Sequence, residues 1–268
     1  INTNVGALTA AQHSYSVNKS METSMERLAS GKRINSAADD AANLAISTRI
    51  TAEIQGLKQS IKNAGDAQSL LNVTEGALTE VHTILLRMRE LAVQSSNESL
   101  RDQDRDVLQM EVAALESEIQ RISDDTTWSG MTLLAGGFTT GATFQIGPRD
   151  TDTIQISIEA IDATTATALG LSSHVSLQAN AQDYIVTIDN AISKISEQRG
   201  KYGAVINRLD HAMANMANIV TNLSAAKGRL EDADYAAESA NLARTQVLQQ
   251  ASMAMLAQAN ASKQNILA

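Results

Sequence analysis

Apolar positions recur at helical spacing along most of the chain, with one break near the middle. Between residues 7 and 30, Val17, Met21, Met25 and Leu28 fall on one broad stripe separated by Ser, Asn, Lys and Glu. That is the pattern of an amphipathic helix. Gly31 follows as a stop signal, and Asn35 or Ser36 stands where the next helix would be capped. The next helix is predicted over residues 41–96 and carries three stripes of spacing seven. One is Ala64, Leu71, Leu78, Leu85 and Ala92; a second is Ala67, Thr74, Val81 and Met88; a third is Leu70, Ala77, Ile84 and Leu91. A seven-residue repeat is the seam of a coiled coil, and three parallel stripes imply more than one partner helix. A polar turn at 95–99 leads into a helix over 103–123, where Leu108, Val112, Leu115, Ile119 and Ile122 give a two-position seam. The short turn makes this helix antiparallel to the one before it.

The pattern changes between residues 126 and 178. Glycines and threonines accumulate there, and Phe144 and Ile146, then Ile154, Ile156 and Ile158, alternate with polar neighbours around Gly147-Pro148-Arg149-Asp150. This is a β-hairpin signal. Helix resumes near Ala181, with Ile188, Ile192, Ile195, Tyr202, Ile206, Leu209, Met213 and Met216 at coiled-coil spacing and Arg199 and Lys227 at skipped seam positions. An acidic stretch, Glu231-Asp232-Ala233-Asp234, marks a bend or restart before a last helix over 236–264. The predicted fold is mainly α, a long antiparallel helical coiled-coil bundle with a small β-hairpin region mid-chain.

The layout is palindromic. Residues 1–35 form an N-terminal helix expected to pair with 236–268. Residues 36–127 and 179–235 supply the two parts of the bundle, and 128–178 are the connector. The bundle seam is expected to hold Leu71, Leu78, Leu85, Leu108, Leu115, Ile192, Leu209 and Met216. The terminal helices are rich in Ala and poor in large apolar residues, so they are marginal alone. Val17, Met21, Leu28, Leu242, Met253 and Leu256 are the residues expected to carry self-assembly.

Composition narrows the function. The 268 residues include seven aromatics and no cysteine, and 43% are hydrophobic. Without cysteine there is no disulfide framework, thiolate nucleophile or cysteine-ligated metal. A net charge of -9 argues against a general nucleic-acid binder, which needs a basic face. No run of 18 apolar residues predicts a membrane span, and the N-terminus lacks the basic and apolar regions of a cleaved signal. The chain begins at Ile1, so at least one residue is expected upstream.

Catalytic chemistry finds little support. His13, His82, His174 and His211 are scattered, with no helical pair at metal-ligand spacing. Gly136-Gly137 lacks the Lys-Ser/Thr of a phosphate loop. Asp39-Asp40 and Asp232 with Asp234 read as solvated or helix N-terminal charge. Asp150, Asp152 and Asp162 lack the Gly and Glu of a calcium loop. The methionines fall mostly at seam spacing and read as core. No enzyme and no cofactor is expected.

Several blocks resemble bacterial flagellins. They are Ile1-Asn2-Thr3-Asn4, the run from Leu28-Ala29-Ser30-Gly31-Lys32-Arg33-Ile34-Asn35-Ser36 through Asp39-Asp40 to Ser47, Gln68 to Leu78, and Arg87-Met88-Arg89-Glu90-Leu91-Ala92-Val93-Gln94-Ser95. Toward the C-terminus they are Asn207-Arg208-Leu209-Asp210, Ser224 to Ala236, and Gln258-Ala259-Asn260. The resemblance implies a subunit that self-assembles into the bacterial flagellar filament for swimming. It would be exported by the flagellar secretion apparatus without a cleaved signal and would lie outside the cell. A hook–filament junction protein of the same architecture is the runner-up. The resemblance also implies flagellar cap and junction proteins as neighbours, an export chaperone on the C-terminal helix, and a host Toll-like receptor recognising Arg87, Leu91 and Glu118. The short middle segment implies a minimal form without large outer domains. The family pattern continues a few residues beyond Ala268.

Overall fold

The computed structural model describes residues 4–136, 141–160, 176 and 178–267, excepting the side chains of 178–179 and 262–267. Five helices are joined by two small hairpins. The helices are α1 (Val5–Ser30), α2 (Ala41–Ser95), α3 (Asp102–Asp125), α4 (Gln178–Glu231) and α5 (Tyr235–Leu267). The strands β1 (Thr127–Trp128) and β2 (Met131–Thr132) pair antiparallel, as do β3 (Ala142–Gln145) and β4 (Thr153–Ile156). Of the residues singled out above, Ile1, Asn2, Thr3, Gly137, Asp162, His174 and Ala268 lie outside the described set.

The chain divides into two compact units, with boundaries inside α2 and α4. One holds residues 1–55 and 220–268, the other residues 56–219. These divisions fall about twenty residues inside the N-terminal bundle limit of 36 and about fifteen inside the C-terminal limit of 235 expected from sequence.

In the second unit, α2 supplies a continuous buried seam. Leu57, Ser60, Ala64, Ala67, Leu71, Thr74, Leu78, Val81, Leu85, Met88, Ala92 and Ser95 are all buried and alternate steps of three and four. Leu70 and Leu91 of the third stripe are buried as well, so α2 covers more than one neighbour. Pairings fix the directions. Arg87 reaches Glu111 and Arg105 reaches the Ser95 carbonyl, so α3 runs antiparallel to α2. Arg89 pairs with Asp189, Arg199 with Glu75, and Gln68 with Asp210, so α4 is antiparallel to α2 too.

The seam residues expected from sequence divide in the structure. Leu71, Leu78, Leu85, Leu209 and Met216 are buried, whereas Leu108, Leu115 and Ile192 are half-buried. The innermost residues of α3 are Val112 and Ile119. On α4 the buried row runs Ala181, Tyr184, Ile188, Ala191, Ile195, Gln198 and Tyr202. Ala191 and Gln198 take the places that Ile192 and Arg199 held in the sequence frame. Two polar anchors explain the shift. The Tyr184 hydroxyl donates to Glu116 Oε1 at 2.7 Å, and Gln198 Nε2 donates to the Tyr202 hydroxyl at 2.7 Å. Burial is the main reason the Tyr202 phenol is pushed up to about 12. Arg199 sits beside this row and pairs with Glu75.

The β3–β4 hairpin lies on α2. Asn63 Nδ2 donates to the Gln145 carbonyl at 3.1 Å, and Ile154, Ile156 and Ile158 are buried. The hairpin expected around Pro148 is therefore present, with Ile146 just beyond the end of β3. The β1–β2 pair has no counterpart in the sequence reading. Two residues per strand are too few for a periodic signal. Gly130, with φ +83°, and Ser129, with φ +51°, make its turn.

Candidate functional site

The first unit is built around an antiparallel pair, α1 on α5. Asn4 Nδ2 donates to the Ala259 carbonyl, Gln249 to Asn18, and Ser24 to Glu238, so the two helices run past each other along their length. Asn4 also caps α1, its Oδ1 accepting from the Ala7 N–H at 3.1 Å. The covered row of α1 is Ala7, Ala10, Ser14, Val17, Met21, Ser24 and Leu28, and that of α5 is Glu238, Leu242, Thr245, Gln249, Ser252, Leu256 and Ala259. Both rows step by threes and fours, as in a coiled coil. Most of these side chains are small or polar. The large apolar ones are half-buried, and a fully buried side chain of that size contributes only about 1.5–3 kcal/mol. The pair is consequently held weakly for its length.

Of the six residues expected to carry self-assembly, Val17, Met21, Leu28, Leu242 and Leu256 lie half-buried in this intrachain seam, and Met253 is exposed. A different set is left uncovered. Val5, Leu8 and Tyr15 are 65%, 61% and 72% exposed on the side of α1 opposite the seam. On α5, Val247 is exposed on the side opposite the seam, and Leu248 and Met255 are exposed on its flank, Met255 beside Gly6, Thr9 and His13 of α1. Scattered exposed apolar residues are ordinary, but rows of them on both helices of one pair mark an interaction surface. Composition alone did not single these out, because α5 carries apolar residues nearly all round.

A polar junction closes the end of the pair. Gly31 adopts φ +71° and its N–H returns to the Arg27 carbonyl at 2.9 Å, which ends α1 with a left-handed residue. Lys32 then forms a single bridge with Asp232, and Ala233 N–H donates to the Gly31 carbonyl. The buried Glu231 carboxylate accepts from the Ser47 hydroxyl and faces Lys32 and Lys227 at 3.4 and 3.8 Å. The Tyr235 hydroxyl donates to the Leu28 carbonyl at 3.0 Å. This ties the loop after α1, the start of α2 and the α4–α5 turn into one knot.

Two carboxylates shape the start of α2. Asp40 caps it, accepting from the Asn43 N–H at 3.0 Å, and Asp39 accepts from the backbone N–H groups of Ser36 and Asn35. These bonds hold both carboxyls below their usual range. Asn35 and Ser36, the caps expected from sequence, instead donate to the Asp39 turn, since α2 begins only at Ala41.

Inside the α1–α5 seam, Glu238 is held below the usual glutamate range. The chief cause is the bond from Arg27 Nη1 at 2.9 Å, with Ser24 adding a second. A depressed folded-state value means that the charged form stabilises the pair above the ordinary value of 4.5. That contribution is lost as pH falls through the folded value. The terminal pair of the wild type is therefore expected to loosen on acidification below about pH 4.5. Glu238→Gln should flatten that dependence. Hydrogen exchange of α5 amides between pH 3 and 6 reads it, and identical pH profiles for the two proteins would contradict the assignment.

The residues expected at a receptor contact lie in the second unit. The Arg87 side chain is 51% exposed and donates to Glu111 on α3 and to Glu90 on its own helix. Leu91 is 1% exposed and belongs to the bundle core. Glu118 is bound to Arg121, not to Arg87. Glu111, which sequence reading passed over, is the α3 carboxylate that meets Arg87.

No group of three His, Asp or Glu side chains that could hold a metal ion occurs among the described residues, and no described helix is long and apolar enough to cross a membrane. The exposed apolar side chains of α1 and α5 are the features that stand out. Two family models match the chain, the bacterial flagellin N-terminal helical region over residues 1–139 and the bacterial flagellin C-terminal helical region over 185–268. The chain is 43% identical to a flagellin of Halalkalibacterium halodurans over 246 residues, covering 92% of this chain and 90% of that one. It is 38% identical to a Bacillus subtilis flagellin, covering 100% and 98%. Among solved structures it is similar to Bacillus cereus flagellin, with TM-score 0.52 and 32% identity over 62% of this chain and 94% of that one.

Proposed function

Because the chain belongs to the bacterial flagellin family and is a structural subunit of the extracellular flagellar filament, we propose that it polymerises by burying the outward faces of α1 and α5 against other copies. The uncovered Val5, Leu8 and Tyr15 on one helix and Val247, with Leu248 and Met255 on its flank, on the other carry this reading. The seam residues Val17, Met21, Leu28, Leu242 and Leu256 hold α1 on α5, so that both faces are presented together. Met253 contributes from the flank. Neighbouring copies then complete a core that one chain leaves half built. Repetition of such a head-to-tail contact gives an open helical assembly.

The remaining partners follow the same surfaces. Export proceeds without a cleaved signal, as a weakly held terminal pair suits passage as an open chain. The uncovered side of α5 takes an export chaperone before assembly, and cap and junction proteins meet the ends of the polymer. A Toll-like receptor would touch Arg87 and Glu118, while the buried Leu91 positions α2 beneath them. The role is structural and not catalytic.

The decisive experiment is truncation. A chain lacking residues 1–30 is expected to stay monomeric under conditions in which the full chain forms filaments, as judged by electron microscopy and sedimentation. Filaments of normal length from the truncated chain would refute the reading.

A further inference from the structure

We infer that the groove between α1 and α5 around Arg27 and Arg244 is a binding site for an oxyanion, either a carboxylate side chain of a second copy or free phosphate. The groove measures about 310 Å³ and is lined by Ser20, Thr23, Arg27, Asn241, Arg244 and Thr245, with Glu238 its one carboxylate. Two guanidinium groups against one carboxylate leave it net positive in a chain of net charge -9.

The arginines have donors to spare. Arg27 gives Nη1 to Glu238, while its Nε–H is buried with no acceptor. A guanidinium carries five N–H donors, so most of this one is unused. Arg244 has no hydrogen bond or ion pair among the described residues. None of the nearby hydroxyls accepts from either arginine among the described residues. Ser20 and Thr23 donate to carbonyls of their own helix, and so does Thr245. What the groove lacks is a second anionic acceptor beside Glu238, and a guanidinium recognises a carboxylate or phosphate through paired, charge-assisted bonds.

A neighbouring copy can supply that acceptor. With 30 acidic and 21 basic side chains, each approaching copy presents more carboxylates than cations. A positive groove on the same pair that carries the uncovered apolar faces would offset like-charge repulsion at the contact. Both sources are read through assembly, so the inference rests on the polymerisation reading.

The test measures the critical concentration for polymerisation of the full chain and of Arg244→Gln at pH 7. Sodium chloride and sodium phosphate are compared at equal ionic strength, and circular dichroism checks that helix content is unchanged. If the acceptor is a neighbour's carboxylate, Arg244→Gln raises the critical concentration about tenfold in chloride, the weight of one charge-assisted contact; if it is free phosphate, the two proteins match in chloride and differ only in phosphate. If the acceptor is a neighbour's carboxylate, phosphate competes and raises the wild-type value. If it is free phosphate, the wild-type value falls severalfold. In both cases Arg244→Gln loses the response to phosphate. Equal critical concentrations for the two proteins, with no phosphate-specific response in either, would overturn the site. Failure of the polymerisation reading is seen separately, as filaments from the chain lacking residues 1–30.

Discussion

Leu8→Asp combined with Val247→Asp should abolish filament formation while leaving the helical bundle of residues 56–219 unchanged. Leu8 and Val247 are 61% and 66% exposed in the single chain, so neither Asp meets a steric or desolvation penalty before assembly. In the polymer each site would lose the burial of a Leu or Val, about 2 kcal/mol. Each would also place a carboxylate against apolar neighbours, which costs further. At about 1.4 kcal/mol per factor of ten, the critical concentration should rise by at least about a hundredfold. Sedimentation and negative-stain microscopy measure it. If the doubly substituted chain polymerises at wild-type concentrations, the outward faces of α1 and α5 are not the contact surfaces.

Leu78→Ala should have the largest effect on the stability of the second unit. Leu78 is 0% exposed at the middle of the α2 seam, with Leu71, Val81 and Leu85, also fully buried, on either side of it. A long helix packed on two sides has little freedom to collapse into the cavity, which places the cost at about 3 kcal/mol. For a unit of this size that lowers the melting temperature by about 10 °C. Trp128, the only tryptophan, lies in this unit and reports its unfolding by fluorescence. A shift of under about 2 °C would mean that the seam is not packed as described. Because Leu78 is far in sequence from the terminal pair, the filaments of this variant should form but dissociate at lower temperature.

The two substitutions separate what was legible from what was not. The α2 seam could be read directly, because seven-residue spacing of Ala, Leu, Val and Met persists over more than five turns and admits no other regular arrangement. The antiparallel order followed from a short turn. The α4 frame was less secure. Ile192 and Arg199 each stand one residue from the true seam at Ala191 and Gln198, and a one-residue shift keeps the spacing intact. What decided it was the fit of Tyr184 against Glu116 and of Gln198 against Tyr202, partners distant in sequence or hidden as ordinary polar residues. The junction at Glu231 was visible as an acidic stretch but not as a knot, since Ser47, Lys32 and Lys227 meet it only in space.

The sequence by itself determined where helices begin and end, the central break with its hairpin, and the absence of cysteine chemistry. Those properties depend on residues close along the chain, through periodicity, capping and turn preference. Only the tertiary structure decided which faces are spent inside the chain and which are left over. In α1 and α5 the large apolar residues sit on several sides of each helix, so hydrophobicity could not tell an intrachain seam from a contact with another copy. The antiparallel packing of the pair covers Val17, Met21, Leu28, Leu242 and Leu256 and leaves Val5, Leu8, Tyr15, Val247, Leu248 and Met255 exposed. Burial depends on what lies opposite, and the sequence of one helix does not contain that information.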